Sequence, residues 1–226
     1  MEFGTSYIFL FGLKIFEPNV ILSNLLIFLV CLYYFKNLNV FEGKYAKQTS
    51  VFVLFMGIST CFASVGHAVH LQLGEIFFRI IVFMSHSFNI IALYFCFKAA
   101  YTYTSINKQS NAYIGYSAIG VTVALMIVAL ITGSFLTIKI PAGIVLVYSL
   151  IVHFIGYRKN ERGSGLFVSG VLIAFLSILI HTFRLSLNEW CNHKDLAHIA
   201  IAASLTFMCM GVKINSQNTP ALSLAN

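Results

Sequence analysis

Seven stretches of this chain, 18–36, 49–70, 75–99, 112–133, 138–157, 164–185 and 195–213, are apolar over about the 20 residues a helix needs to cross the hydrocarbon of a bilayer. That pattern leaves few folds open. Inside lipid every backbone amide and carbonyl must be paired within the segment, which only helices and closed barrels achieve. With 59% hydrophobic residues, 9% charged residues and a mean hydropathy of +0.87, the composition lies outside that of soluble domains. The expected fold class is all-α integral membrane, a seven-transmembrane-helix bundle. The absence of an internal repeat, a linker or a shift in composition makes 1–226 one domain.

The breaks between the runs have physical causes. Lys44 to Gln48, Asn107 to Asn111 and Arg158 to Gly163 are polar, and Gly133-Ser134 is a turn signal between two apolar stretches. Residues 1–17 are apolar but carry Glu2 and Lys14 and end before Pro18. They read as an interfacial segment, without the basic start and small-residue cleavage site of a signal peptide. Residues 214–226 read as a polar cytoplasmic tail.

Orientation follows from the cations. Lys36, Lys44, Lys47, Lys98, Lys108, Arg158, Lys159, Arg162 and Lys213 fall on one side, against Lys14, Arg79, Lys139, Arg184 and Lys194 on the other. The richer side is expected to be cytoplasmic, with the N-terminus outside and the C-terminus inside. The expected localisation is a multi-pass protein of a bacterial inner membrane. The net charge of +7 then reflects topology and contact with anionic head groups, and no basic stripe interleaved with aromatics points to nucleic acid. Cys31, Cys61, Cys96, Cys191 and Cys209 form no Cys-x-x-Cys pair, and four lie in predicted spans, so they read as packing residues.

Six of the seven histidines fall toward the outer face. His67 and His70 end the second span, His86 lies in the third, His181 near the end of the sixth, and His193 and His198 open the seventh; His153 alone falls toward the inner face. Polar side chains at such depth are costly and mark a cavity, a partner or a metal. Ser64, His67 and His70 are spaced by three and share one side of a helix, as do Asp195 and His198. Neutral imidazoles bind zinc, and three protein ligands plus water make a catalytic site. The candidate metal ligands are His67, His193 and His198, with Asp195 as general base or as an orienting carboxylate and Ser64 as a hydrogen-bonding hydroxyl. His70, His86 and His181 are possible additions. Each residue also has a plainer reading: interhelical hydrogen bonding for a histidine, an interfacial position for His70, a snorkelling pair for His181 with Arg184, helix packing for Ser64, a favourable first-turn acid for Asp195, and an interface anchor for Trp190.

Seven spans with the N-terminus outside, Ser64 and His67 near the end of the second, and the run Asn192-His193-Lys194-Asp195-Leu196-Ala197-His198 opening the seventh resemble the CREST superfamily of alkaline ceramidases and adiponectin-type receptors. They also resemble bacterial seven-span proteins with an Asn-His-x-Asp-x-x-His signature. The resemblance implies a zinc ion held by His67, His193 and His198, and a bound water that cleaves an amide or ester bond of a lipid entering from the outer leaflet. The chain departs from the superfamily in its Ser-x-x-His and His-x-x-x-x-His spacings and in having no acid within the third span beyond Glu75. A five-residue spacing turns two helical positions about 140° apart, so His193 can share a metal with His198 only from outside the helix proper.

Two other classes remain open from the residues. Paired histidines also ligate haem in redox proteins, although a di-iron centre needs more His-rich motifs than this chain holds. Clustered histidines also serve receptors and transporters without catalysis. Only Pro141 interrupts a span, which is little for the broken helices of a transporter, and the last span has no mid-membrane lysine for a retinal Schiff base. The expected partners are membrane lipids and a lipid substrate; oligomeric state is not encoded in any readable pattern.

Overall fold

The computed structural model describes residues 7–10, 12–69, 72, 74–104, 110–188 and 190–218. Among the described residues there are seven helices, each long and apolar enough to cross a membrane: α1 Pro18–Leu38, α2 Lys44–Val69, α3 Glu75–Thr104, α4 Ser110–Thr132, α5 Leu136–Arg158, α6 Ser164–Thr182 and α7 His193–Asn218. This is the architecture of a multi-pass membrane protein. The breaks at Arg158 to Gly163 and at Gly133-Ser134 fall where the sequence places them, the latter turning through Gly133 at φ +58°. Lys44 to Gln48 instead form the opening turns of α2, and the break expected at Asn107 to Asn111 lies partly outside the described residues, with Ser110 and Asn111 already in α4. The helix of α7 runs on to Asn218, so the first residues of the expected polar tail are helical; residues 219–226 lie outside the described ones.

Ahead of α1, the segment read as interfacial contains an antiparallel hairpin, β1 Tyr7–Leu10 and β2 Leu13–Phe16, in the register Tyr7↔Phe16 to Leu10↔Leu13. Gly12 supplies the left-handed turn residue at φ +79°. Lys14 Nζ sits 3.8 Å from the centroid of the Tyr7 ring, and Gln72 donates to the Lys14 carbonyl, which fastens the hairpin beside the α2–α3 turn.

Helices α1, α2, α3, α5, α6 and α7 follow one another around a closed ring, while α4 stands outside it against α3. The core holds Ile27 and Cys31 of α1, Val53 of α2, Ala92 and Cys96 of α3, Val171 of α6 and Cys209 and Val212 of α7. All five cysteines are free, and three of them are buried packing residues as expected. Glycine allows α6 and α7 to touch backbone to backbone. A Cβ on Gly170 would lie 2.6 Å from Met208 Cγ and 2.8 Å from the Ser204 carbonyl oxygen. Such close approach is the usual basis of helix association in lipid, where apolar burial gives no net drive.

One end of the ring is locked by the histidine that the sequence separates from the others. His153 Nδ1 donates to the Ser149 carbonyl at 2.8 Å, so its Nε2 accepts from the Tyr45 hydroxyl at 2.7 Å. The imidazole stacks on Phe167 at 3.6 Å and on Tyr103 at 4.5 Å, and the Tyr103 hydroxyl reaches Glu161 and Ser164. His153 is therefore a satisfied core residue joining α2, α3, α5 and α6.

Candidate functional site: a histidine-lined cavity

The opposite end of the ring holds the remaining described histidines. Its organiser is Glu17, the residue before Pro18. Proline disfavours helical backbone in its predecessor, and Glu17 adopts φ +47°, a left-handed conformation uncommon for a side chain of this size. That geometry places a buried carboxylate between two other elements. Oε2 accepts from His67 Nδ1 of α2 at 2.6 Å, and Oε1 accepts from Lys194 Nζ of α7 at 2.5 Å. Burial by itself pushes the Glu17 carboxyl up, but the hydrogen bonds donated by His67 and Lys194, with their charge, outweigh it and bring the carboxyl from its usual 4.5 down to about 2. Asn19 adds a bond to the Trp190 carbonyl, so the start of α1 is tied to the approach to α7 twice.

Helix α7 begins with a reciprocal cap. Asn192 Oδ1 accepts from the Lys194 amide at 2.8 Å and the Asp195 amide at 3.4 Å, while Asp195 Oδ2 accepts from the Asn192 amide at 2.9 Å. This is a capping box with Asn at the N-cap and Asp at the third helical position. Asp195 thus caps the first turn of α7 through one oxygen, while its second, Oδ1, is buried without a hydrogen-bond partner.

Below these ties lies a cavity of about 310 Å³ walled by α1, α2, α3, α5 and α7. His67, His86 and His198 line it from three different helices, with Asn24 from α1, Phe135 just before α5 and Ile138 from α5. The hydrogen bonds place a proton on Nδ1 in two of the rings. His67 Nδ1 carries the proton given to Glu17. The Ser23 hydroxyl donates to the Val20 carbonyl at 3.0 Å, so its oxygen accepts from His198 Nδ1 at 3.0 Å. In the neutral His198 ring Nε2 is therefore the nitrogen with the lone pair. His86 Nδ1 and Asn24 Nδ2 are buried without hydrogen-bond partners. Orphaned polar atoms of this kind are uncommon in a protein interior, where such groups are normally met by protein, water or a bound group.

The expected zinc ligands are divided between two places. His67 and His198 share the cavity, and His86, an expected addition, joins them. His193 is the first residue of α7 and sits with its ring 5.4 Å from that of His181, edge to face. The cause is helical phase: starting inside the helix, His193 is turned about 140° from His198. His181 in turn lies 3.4 Å from Lys139 Nζ of α5 and is tilted against Phe135 with ring centroids 5.7 Å apart, and Phe135 also lies 6.0 Å from His86. Ser64 is half-buried one turn before His67, and the cavity wall on α2 runs instead through Thr60, Ala63 and Gly66. His70 lies outside the described residues. Among the described residues, no three His, Cys, Asp or Glu side chains form a group that could hold a metal ion. The donors as arranged do not fit the three-histidine zinc centre that the resemblance implies.

Sequence reasoning missed Glu17, Ser23, Asn24 and Lys194. Two signals were available. Glu17 is one of only seven carboxylates in the chain and abuts the start of a span, and Asn24 is an amide inside a span.

Fold and cavity together define a seven-helix membrane protein with a histidine-lined chamber near one end of the bundle. The chain belongs to a family of unknown function, DUF6962, whose model matches residues 20–217 and so takes in every residue of the cavity wall. No curated protein matches it.

Proposed function

We propose that this chain binds the polar head of an amphiphilic molecule taken from the bilayer, in the cavity between α1, α2, α3, α5 and α7, without catalysis. One observation carries the reading. His198, whose Nδ1 is engaged by the Ser23 hydroxyl, lines a chamber whose wall also holds the unpartnered Asn24 amide and His86 Nδ1. The Nε2 acceptor of neutral His198 calls for a ligand with a hydroxyl or amide N–H donor, and the Asn24 amide for an acceptor oxygen. A head group built from a lipid amide or a polyol offers both. A chamber of about 310 Å³ admits such a head while its acyl chains remain in lipid. With the cation-poor end outside, as expected for a bacterial inner-membrane protein, the ligand enters from the outer leaflet.

A second reading rests on the Glu17–His67 pair. A carboxylate on Nδ1 is the arrangement that orients an imidazole for proton transfer or metal binding. It favours a membrane hydrolase acting on an amide or ester bond of a lipid, with His67 as the base. Zinc would require a third ligand beside His67 and His198.

A photoactivatable lipid amide, added to detergent-purified protein, separates the readings. Binding without catalysis gives labelling of the α3 segment around His86, lost in His198→Phe, with no fatty acid released and no change on chelation. Release of fatty acid by the wild type but not by His198→Ala establishes the hydrolase, and chelator sensitivity of that release implicates a metal. Neither labelling nor release refutes both.

A further inference from the structure

At the end of the bundle away from the histidine cavity, α2, α3 and α4 enclose an open groove of about 500 Å³. It exists because α4 stands off from the ring: only 6% of its most apolar stretch is buried, against 33% for α3. A Cβ on Gly115, in the groove wall, would meet nothing within 4 Å. The polar groups lining the groove are Lys44 and Gln48 in the opening turns of α2 and Tyr94, Lys98, Tyr101 and Thr102 toward the end of α3.

Three features point to one kind of occupant. Neither lysine forms a salt bridge with a carboxylate among the described residues, and Lys98 instead lies 5.6 Å from the centroid of the Tyr94 ring. Gln48 Oε1 is buried with no hydrogen-bond partner. The same end of the bundle carries Lys36, Lys47, Arg158, Lys159, Arg162 and Lys213 against the described acids Glu42 and Glu161. Unpaired cations between membrane helices on the cation-rich face are the usual seat of anionic lipid heads.

We propose that this groove is a binding site for an anionic phospholipid whose head carries a hydroxyl. Its phosphate lies between Lys44 and Lys98, and the hydroxyl donates to Gln48 Oε1. Its acyl chains stay in the bilayer beside α4, where Ile119, Val123 and Ile127 are exposed. The apolar part of the wall, Phe97, Ile114 and Ala118, favours a lipid over a free phosphate ion. The site is independent of the histidine cavity and of the function proposed for it.

The test uses the full chain reconstituted in phosphatidylcholine vesicles doped with phosphatidylglycerol, followed by native mass spectrometry of the lipids that stay bound. The wild type is expected to retain one phosphatidylglycerol in preference to phosphatidylcholine. Each lysine contributes about fivefold to that preference, so K44Q/K98Q lowers it by about 25-fold. Gly115→Phe, which fills the groove and leaves both lysines in place, abolishes retention and decides the matter should the double variant fail to fold. K36Q/K47Q removes the same charge from the same end outside the groove and leaves the preference unchanged. Equal loss in K36Q/K47Q would reduce the effect to diffuse surface charge and overturn the proposal. So would undiminished retention by K44Q/K98Q or by Gly115→Phe, or displacement of the lipid by millimolar inorganic phosphate.

Discussion

Replacing Glu17 with glutamine removes a charge and little else, and its effect can be worked from the structure. The carboxylate is the common acceptor of His67 and Lys194, and only 11% of its side chain is exposed. Moving its ionisation from 4.5 to about 2 corresponds to about 3 kcal/mol at 1.36 kcal/mol per unit. That is an upper bound, because the His67 and Lys194 side chains are each 31% exposed and water screens part of the interaction. About 2 kcal/mol is a reasonable net loss, which for a chain of this size lowers the melting temperature by about 4–8 °C. The pH dependence has a definite sign. A carboxyl with a depressed folded-state pKa stabilises fully above its unfolded value, here 4.5, and loses that contribution as pH falls through about 2. The gap between wild type and Glu17→Gln should therefore be constant from neutral pH down to 4.5 and close below it. Thermal unfolding in detergent, with Lys194→Met and the double variant completing a cycle, measures both the gap and the coupling. A melting shift under 1 °C at pH 7, or a double variant equal to the sum of the singles, would refute the view that Glu17 ties α1 to α2 and α7.

Other outcomes follow from the same geometry. Gly170→Ala should cost about 1–3 kcal/mol, because its Cβ would press on Met208 and the Ser204 carbonyl, and Gly170→Leu should prevent assembly; thermal shift and gel filtration distinguish the two. Asn192→Ala removes the N-cap of α7 and should lower stability by about 1 kcal/mol, whereas Asn192→Asp should retain it. His86→Phe replaces a buried, unpartnered imidazole nitrogen with an apolar ring beside Phe135, so it should raise the melting temperature while abolishing labelling by a lipid amide.

The seven spans were legible because the bilayer imposes a length and a polarity that hydropathy reads directly, and the structure moves their ends by only a few residues. The turn at Gly133 was legible for a similarly local reason. The histidine cavity was legible only in part. Its level in the membrane follows from counting along each span, which places His67 and His198 toward the same end. Which rings meet depends instead on the order of helices around the ring and on where α7 starts. Beginning the helix at His193 rather than after it turns that ring toward His181 of α6, and the Asn192–Asp195 cap is what fixes the start. The carboxylate beside His67 likewise comes from outside the spans. Glu17 stands outside every helix in a left-handed conformation that no periodicity announces, yet it reaches the histidine of α2 and the lysine of α7 at once. A constellation assembled from one pre-helical residue and the ends of two distant spans has no fixed spacing in sequence. Its signal is chemical: in a chain with seven carboxylates, one placed against the start of a membrane helix and buried must have cations or imidazoles facing it.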